Sequence, residues 1–321
     1  MLSFFLPDQG RLSAVRLYQE VGLDTVELSP VQGGWRLEVP RPRVDRMEYL
    51  FEVTHRDGRR ETILDPGNPL RVAGVFGDKS VLEFPEYRAP SWVRDPAPPY
   101  EWARETIVSA PGLDISWYGP AEPPPFPSLL VVHDGPEYAR LAMLLRYLEL
   151  GIRHTWFRPM WVALLQPHDR NRIYAADDDY ADALSVLGRI PARRRIGMGT
   201  SLGALAMLHA HRRHPDLFDA LFLQSGSFFT REHDPQERRF PRFEQITDFV
   251  ESAKRGKGRP VPVAMTCGLA EENLSNNHLL AEALDLQGYD VTFREVADVH
   301  NYTAWRDAFH PHLSRLLQDM T

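Results

Sequence analysis

A single cysteine, Cys267, stands in 321 residues, so no internal disulfide can form and the usage fits a reducing compartment. Long apolar runs are also missing. The longest, such as Met160 to Leu165 and Ala204 to Leu208, fall far short of the roughly 18 to 20 residues that cross a bilayer. The opening segment, Met1-Leu2-Ser3-Phe4-Phe5-Leu6-Pro7-Asp8, has no basic stretch and too short an apolar one for an export signal. A cytoplasmic protein is the expectation, with no membrane partner. Positive charge is in deficit too: 37 Lys and Arg against 44 Asp and Glu leave −7, which offers no general field for nucleic acid. What is abundant is core material, with 43% hydrophobic residues, 16 Phe, 11 Tyr and 7 Trp. That length and composition suit two globular domains.

The first hundred residues alternate. Trp35, Leu37 and Val39 share one side of a strand, as do Tyr49, Phe51 and Val53, the pattern of half-buried strands. Turn chemistry separates such runs at Gln32-Gly33-Gly34, Arg56-Asp57-Gly58 and Asp65-Pro66-Gly67-Asn68-Pro69. Residues 1–90 are therefore expected to form a small antiparallel β-sandwich of the immunoglobulin-like sort. Pro85, Pro90, Pro96, Pro98 and Pro99 follow, and residues 91–104 read as an extended linker, because proline fixes φ and withholds a donor.

From 105 to 321 strands alternate with helical stretches. Leu129 to Val132 leads into a helix over Tyr138 to Leu150, Ile196 to Gly199 into Leu202 to His211, and Val263 to Thr266 into His278 to Leu286. Further strands are expected at Met160 to Leu165, Leu221 to Leu223 and Val291 to Phe293, with a last helix from Trp305 to Leu317. This succession predicts an α/β fold, a mostly parallel sheet with helices on both faces. Its chemistry belongs in the loops at the carboxyl ends of the strands.

Gly199-Thr200-Ser201-Leu202-Gly203 is a G-x-S-x-G between a strand and an apolar helix. In that turn a serine hydroxyl is held out at the sheet edge as a nucleophile, and the Leu202 N–H at the helix start faces developing negative charge. The same glycines do not make a dinucleotide loop, since Gly197, Gly199 and Gly203 are spaced one residue too long. A serine nucleophile needs a base and an acid, which in this fold class follow in the order Ser, Asp or Glu, His. Glu271, with Glu272 competing, lies in the loop after Val261 to Thr266, and His300 in the loop after Asp290 to Glu295. The second oxyanion donor is expected from His133-Asp134-Gly135-Pro136, at Asp134 or Gly135. The other histidines have no H-E-x-x-H and no cysteine partner, so neither a metal nor an organic cofactor is expected.

These residues together resemble the esterase D or carbohydrate-esterase-1-like α/β-hydrolases, and among them the bacterial enterochelin (ferric siderophore) esterases. The similarity runs from about residue 13 to residue 318. Its landmarks are Asp65-Pro66 in the sandwich, His133-Asp134-Gly135, Arg170 with Tyr180, the elbow at Ser201, His214-Pro215-Asp216-Leu217-Phe218, Gln224-Ser225-Gly226-Ser227, the Gly268 to Glu271 loop, and His300 with Trp305-Arg306. The resemblance implies Ser201 as nucleophile, His300 as base and Glu271 as acid, with an α/β-hydrolase domain behind a β-sandwich. It also implies a substrate contact for Arg170, whose alternative is an ion pair with an acid such as Asp177, and one for Trp305, whose alternative is core packing. The chain departs from the family pattern at Ile173, at Ala204 and at Asp298-Val299 before the histidine.

The expected function is a serine esterase acting on a small-molecule ester, with a ferric siderophore or another multi-ester natural product as the specific class. Two alternatives stand beside it: acyl transfer by the same residues, and a binding protein on a hydrolase scaffold.

Overall fold

The computed structural model describes residues 1–98, 102–110, 112–120 and 124–318, with only the backbone at 103–110. Residues 99–101 of the expected linker, Pro99 among them, lie outside the described residues. The chain forms two compact units. The first comprises Met1–Arg88 with two short later segments, Gly268–Glu271 and Val296–Asn301, and the second the remainder.

In the first unit the alternating sequence makes β1 (Leu2–Pro7), β2 (Leu12–Gln19), β3 (Ser29–Val31), β4 (Gly34–Val39), β5 (Arg46–His55), β6 (Arg60–Ile63), β7 (Arg71–Gly74) and β8 (Gly77–Glu83). They pair antiparallel as two sheets, β1-β4-β3 and β2-β5-β8-β7, with β6 beside β5. One apolar core joins them. Phe4, Leu6, Leu37 and Val39 of the smaller sheet pack with Val15, Leu17, Tyr49, Phe51 and Val53 of the larger, and the Phe4 and Tyr49 rings meet edge-on at 5.0 Å. From Trp35 to Val39 burial alternates, with Leu37 and Val39 buried, Trp35 half-buried and Arg36 and Glu38 exposed, as a strand with one wet face shows. Val299, from a returning segment, is buried in the same core.

The second unit is built on one sheet of β9 (Trp102–Ala110), β10 (Leu113–Pro120), β11 (Ser128–His133), β12 (Met160–Pro167), β13 (Arg195–Thr200), β14 (Ala220–Gln224), β15 (Pro262–Gly268) and β16 (Asp290–Val296). Their order is β16-β15-β14-β13-β11-β12-β10-β9. Pairing is parallel from β12 through β11, β13 and β14 to β15 and antiparallel at β9, β10 and β12. The connecting helices are α1 (Gly135–Leu141), α2 (Leu144–Arg153), α3 (Arg170–Ile173), α4 (Asp178–Leu184), α5 (Leu202–Arg213), α6 (Phe243–Arg255), α7 (Leu274–Leu286), α8 (Tyr302–Asp307) and α9 (Phe309–Gln318). Successive residues of a central strand feed opposite cores: Leu129 and Val131 face the layer of α4 to α7, and Leu130 and Val132 the layer of α1, α2, α8 and α9. This is why those strands read as unbroken apolar runs rather than alternating ones.

Two expected helices are each broken in two. Met143 takes φ 53° and separates α1 from α2, a left-handed step that the leucine periodicity over Tyr138 to Leu150 does not reveal. The last helix is interrupted before Pro311, where His310 leaves helical geometry (φ −97°, ψ 133°), as a proline imposes on the residue before it. Within the Pro-rich stretch, a 3-10 turn at Ser91–Arg94 buries Trp92, which packs edge-on against Tyr147 and stacks on Phe309. Among the described residues, no helix is long and apolar enough to cross a membrane.

Candidate active site

Ser201 follows β13 and precedes α5. Its backbone holds φ 55° and ψ −126°, a combination a non-glycine residue adopts at a cost of about 1–3 kcal/mol. The turn is possible because Gly199 has no side chain: a Cβ there would come 2.4 Å from the Gly203 carbonyl oxygen. The strain is held by hydrogen bonds to the end of β14. The Ser201 N–H donates to the Gln224 carbonyl at 3.0 Å, and the Ser227 N–H donates to the Ser201 carbonyl at 3.1 Å. The Thr200 hydroxyl donates to the same Gln224 carbonyl at 3.0 Å. The half-buried Ser201 hydroxyl lies 3.1 Å from the Ser227 hydroxyl.

The segment 225–227 is fixed in turn from α7. Asn277 accepts from the Gly226 N–H (2.9 Å) and donates to the Gly226 carbonyl (2.9 Å), while Asn273 donates to the Ser225 carbonyl (3.0 Å). All these groups are buried, where an unmet donor would cost about 1–3 kcal/mol. Gln224 completes the scaffold, accepting from the Tyr138 hydroxyl at 2.9 Å and donating to Thr266 and to the Trp305 carbonyl at 3.1 Å each. Trp305 itself is 5% exposed and its indole N–H donates to the Ser225 hydroxyl at 2.9 Å. Packed against Tyr138 and Tyr302, it serves the core and the Ser225 turn.

The loop after β11 is equally determined. Asp134 has φ 51° and Gly135 lies so close to β12 that a Cβ would fall 2.4 Å from the Leu164 Cβ. The Asp134 N–H, expected as an oxyanion donor, donates to the Tyr174 hydroxyl at 3.2 Å. The Asp134 carboxylate receives Arg170 in a two-pronged pair, 2.8 Å from Nε and 2.7 Å from the terminal nitrogen, the geometry a guanidinium favours. Arg170 therefore braces this loop through Asp134 rather than pairing with Asp177, which instead receives Arg242 at 2.8 Å. His133, fully buried, lies with Nε2 2.7 Å from the Tyr180 hydroxyl. Burial, reinforced by the Arg170 charge, lowers its pKa to about 3, so it stays neutral as a structural group.

Glu271 and His300 come together in the first unit. Nδ1 of His300 is 2.8 Å from Oε2 of Glu271, whose side chain is 2% exposed against 37% for His300. The other carboxylate oxygen accepts the Gly268 N–H at 2.8 Å, and the two loops are joined by the Leu269 N–H donating to the Val296 carbonyl at 2.7 Å. Glu272 is exposed and meets Gln236 at 3.5 Å. Of the residues named from the sequence, the structure thus pairs Glu271 with His300 and Asp134 with Arg170. Ser227, Asn273, Asn277 and Tyr174 were not foreseen as site residues, although Ser227 lies in a quoted landmark and Asn273 and Asn277 are four apart, on one helical face. Among the described residues, no three His, Cys, Asp or Glu side chains gather as a metal site.

A mostly parallel sheet with helices on both faces and a strained serine between strand and helix defines the α/β-hydrolase class of fold. Over nearly its whole length the chain is similar to solved enterochelin esterases. Enterochelin esterase from Shigella flexneri superposes with a TM-score of 0.77 at 19% identity, over 99% of this chain and 92% of that one. Ferric enterobactin esterase from Salmonella typhimurium gives 0.76 at 19% identity, over 98% and 92%. A ferulic acid esterase matches 70% of this chain and 100% of its own at 13% identity, with a TM-score of 0.52. No protein-family model and no curated protein sequence matches the chain.

Proposed function

We propose that the protein is a serine esterase in which Ser201, His300 and Glu271 act as a triad. Ser201 Oγ bonds to an ester carbonyl carbon as its proton passes to Nε2 of His300. The tetrahedral intermediate collapses, the C–O bond to the alcohol breaks, and the alcohol leaves with that proton. Water, deprotonated by His300, then attacks the acyl carbon, the bond from that carbon to Oγ breaks, the carboxylic acid leaves, and Ser201 recovers its proton from His300. Glu271 accepts from Nδ1–H and so fixes the tautomer that presents Nε2 as base. Negative charge on the carbonyl oxygen is met by the N–H groups of Leu202 and Gly135, since that of Asp134 already serves Tyr174.

The observation that carries this reading is the short contact between a part-exposed His300 imidazole and the buried Glu271 carboxylate. The strained turn at Ser201 supports it, as does the likeness to esterase folds. For substrate we propose a siderophore-type ester with several ester bonds, cleaved in the cytoplasm. The test combines intact mass after a fluorophosphonate probe with hydrolysis of activated esters and of cyclic catechol-acylated serine triesters. One adduct on the wild type and none on Ser201→Ala, with loss of hydrolysis, is the expected result. A Ser201→Ala protein that hydrolyses these esters at the wild-type rate sinks the reading.

A further inference from the structure

We propose that Arg46, the first residue of β5 in the N-terminal sandwich, is a positioning residue for His300, fixing the loop that carries the base from both sides. The proposal rests on the reading of His300 given above.

Arg46 is 2% exposed, and a buried guanidinium is tolerated only where acceptors surround it. One terminal nitrogen donates to Asp298 Oδ2 at 3.3 Å and to Asn301 Oδ1 at 3.2 Å, and the other to Glu48 Oε1 at 3.0 Å. Asp298 and Asn301 are the residues two before and one after His300. They are also tied to each other: Asp298 Oδ1 accepts the Val299 N–H at 2.8 Å and the Asn301 side-chain N–H at 2.9 Å. The next residue back, Ala297, accepts the Asp45 N–H at 2.7 Å, and the Asp45 carbonyl accepts the Phe84 N–H at 2.9 Å. Val299 is buried in the sandwich core. The histidine is thus mounted on a short loop whose neighbours on either side share one cation from β5.

Such a network is costly as a source of stability, because apolar groups of similar volume often serve as well or better. What it supplies is geometry. A planar fork reaches several acceptors at fixed angles, as an ammonium cannot, and a displacement of about 1 Å in a base is enough to cost on the order of a hundredfold in rate.

Arg46→Met alone strands Asp298 as a buried anion and leaves Glu48 with Lys79, 3.4 Å away, so the deciding protein is the triple variant Arg46→Met, Glu48→Gln, Asp298→Asn, which leaves no charge at any of the three positions while Lys79 keeps Glu20 at 3.1 Å. Arg46→Lys is the second variant, keeping charge without the fork. The readouts are kcat and KM for p-nitrophenyl acetate, the labelling rate of Ser201 by a fluorophosphonate, and hydrogen exchange of amides 297–301. For both variants, kcat and labelling are expected to fall roughly tenfold to a hundredfold, with KM nearly unchanged and faster exchange in that loop. Melting behaviour and exchange elsewhere in the chain establish that each variant is folded. A folded variant with wild-type kcat and wild-type loop exchange, alongside an inactive His300→Ala protein, overturns the proposal alone. Full activity in His300→Ala overturns the reading of the base, and this proposal with it, while the exchange data still report whether Arg46 holds the loop.

Discussion

The groups around Ser201 and those around His300 solve the same problem by different chemistry. Ser201 and its neighbour Ser227 are held by neutral partners, namely backbone amides, Thr200, Gln224 and the amides of Asn273 and Asn277. His300 is flanked by ions: Glu271 at its ring, and Arg46, Glu48 and Asp298 behind its loop. A neutral network keeps its geometry whatever the pH, whereas an ionic one changes when any member takes up or loses a proton. Ser201, the proposed nucleophile, is expected to stay in place under conditions that alter the mounting of His300, the proposed base.

The sharpest break in this comparison is the loss of the proposed nucleophile. Ser201→Ala should lower kcat/KM for an activated ester by about 10⁴-fold or more while leaving the melting temperature unchanged or raised, because the hydroxyl is not what holds the turn. Next in size is Glu271→Gln, expected to cost about 10²- to 10⁴-fold in kcat by favouring the wrong imidazole tautomer. Glu272→Gln, at an exposed carboxylate, should stay within about twofold of wild type, at the scale of a surface change. Equal losses from the two glutamates would remove the assignment of Glu271 to His300.

The Ser201 turn is legible because its signal is local: five consecutive residues between a strand and a helix say what the backbone must do. The order Glu271 then His300 is legible from loop placement alone, but choosing Glu271 over Glu272 needs the fold, which buries one and exposes its neighbour. The helix breaks at Met143 and before Pro311 lie within stretches whose apolar spacing runs on unchanged, so periodicity joins what the backbone separates. Asp134 was expected to offer its N–H, and the fold uses it as an acceptor for Arg170. Arg46 had no signal at all. Its partners Asp298 and Asn301 lie 252 and 255 residues away, and nothing in the alternation of β5 sets apart a residue whose side chain closes a distant loop.

The ionic half can be sharpened by pH. Burial raises the Asp298 carboxyl from an ordinary 3.8 to about 6, against the opposing pull of Arg46 and the N–H groups of Val299 and Asn301, while Glu48 adds to the rise. The folded protein therefore keeps this proton over a window, about pH 4 to 6, in which the unfolded chain has released it. Stability from this group falls as pH rises through that window and the penalty is complete above it, amounting to about 3 kcal/mol for a shift of this size. Asp298→Asn removes the titration, so unfolding in urea at pH 4, 5, 6 and 7 should show a shallower decline than in the wild type. An identical decline in both proteins would mean that Asp298 is not the group responsible.

The smaller of the two stability effects belongs to the neutral half, and its lack of pH dependence is the informative part. Asn277 is fully buried and its side chain serves the N–H and carbonyl of Gly226 together with the Asn273 carbonyl. Asn277→Ala leaves the Gly226 N–H without that acceptor in the interior, at about 1–3 kcal/mol. Since none of the groups involved titrates in the working range, the loss in unfolding free energy should be the same at pH 5 and pH 8. Labelling of Ser201 should slow by a similar factor at both values, because the backbone of Ser227, bonded to the Ser201 carbonyl, depends on this brace. A loss that grows or fades between the two would show that a titrating group takes part in the support of Ser201, and would remove the contrast between a neutral and an ionic mounting.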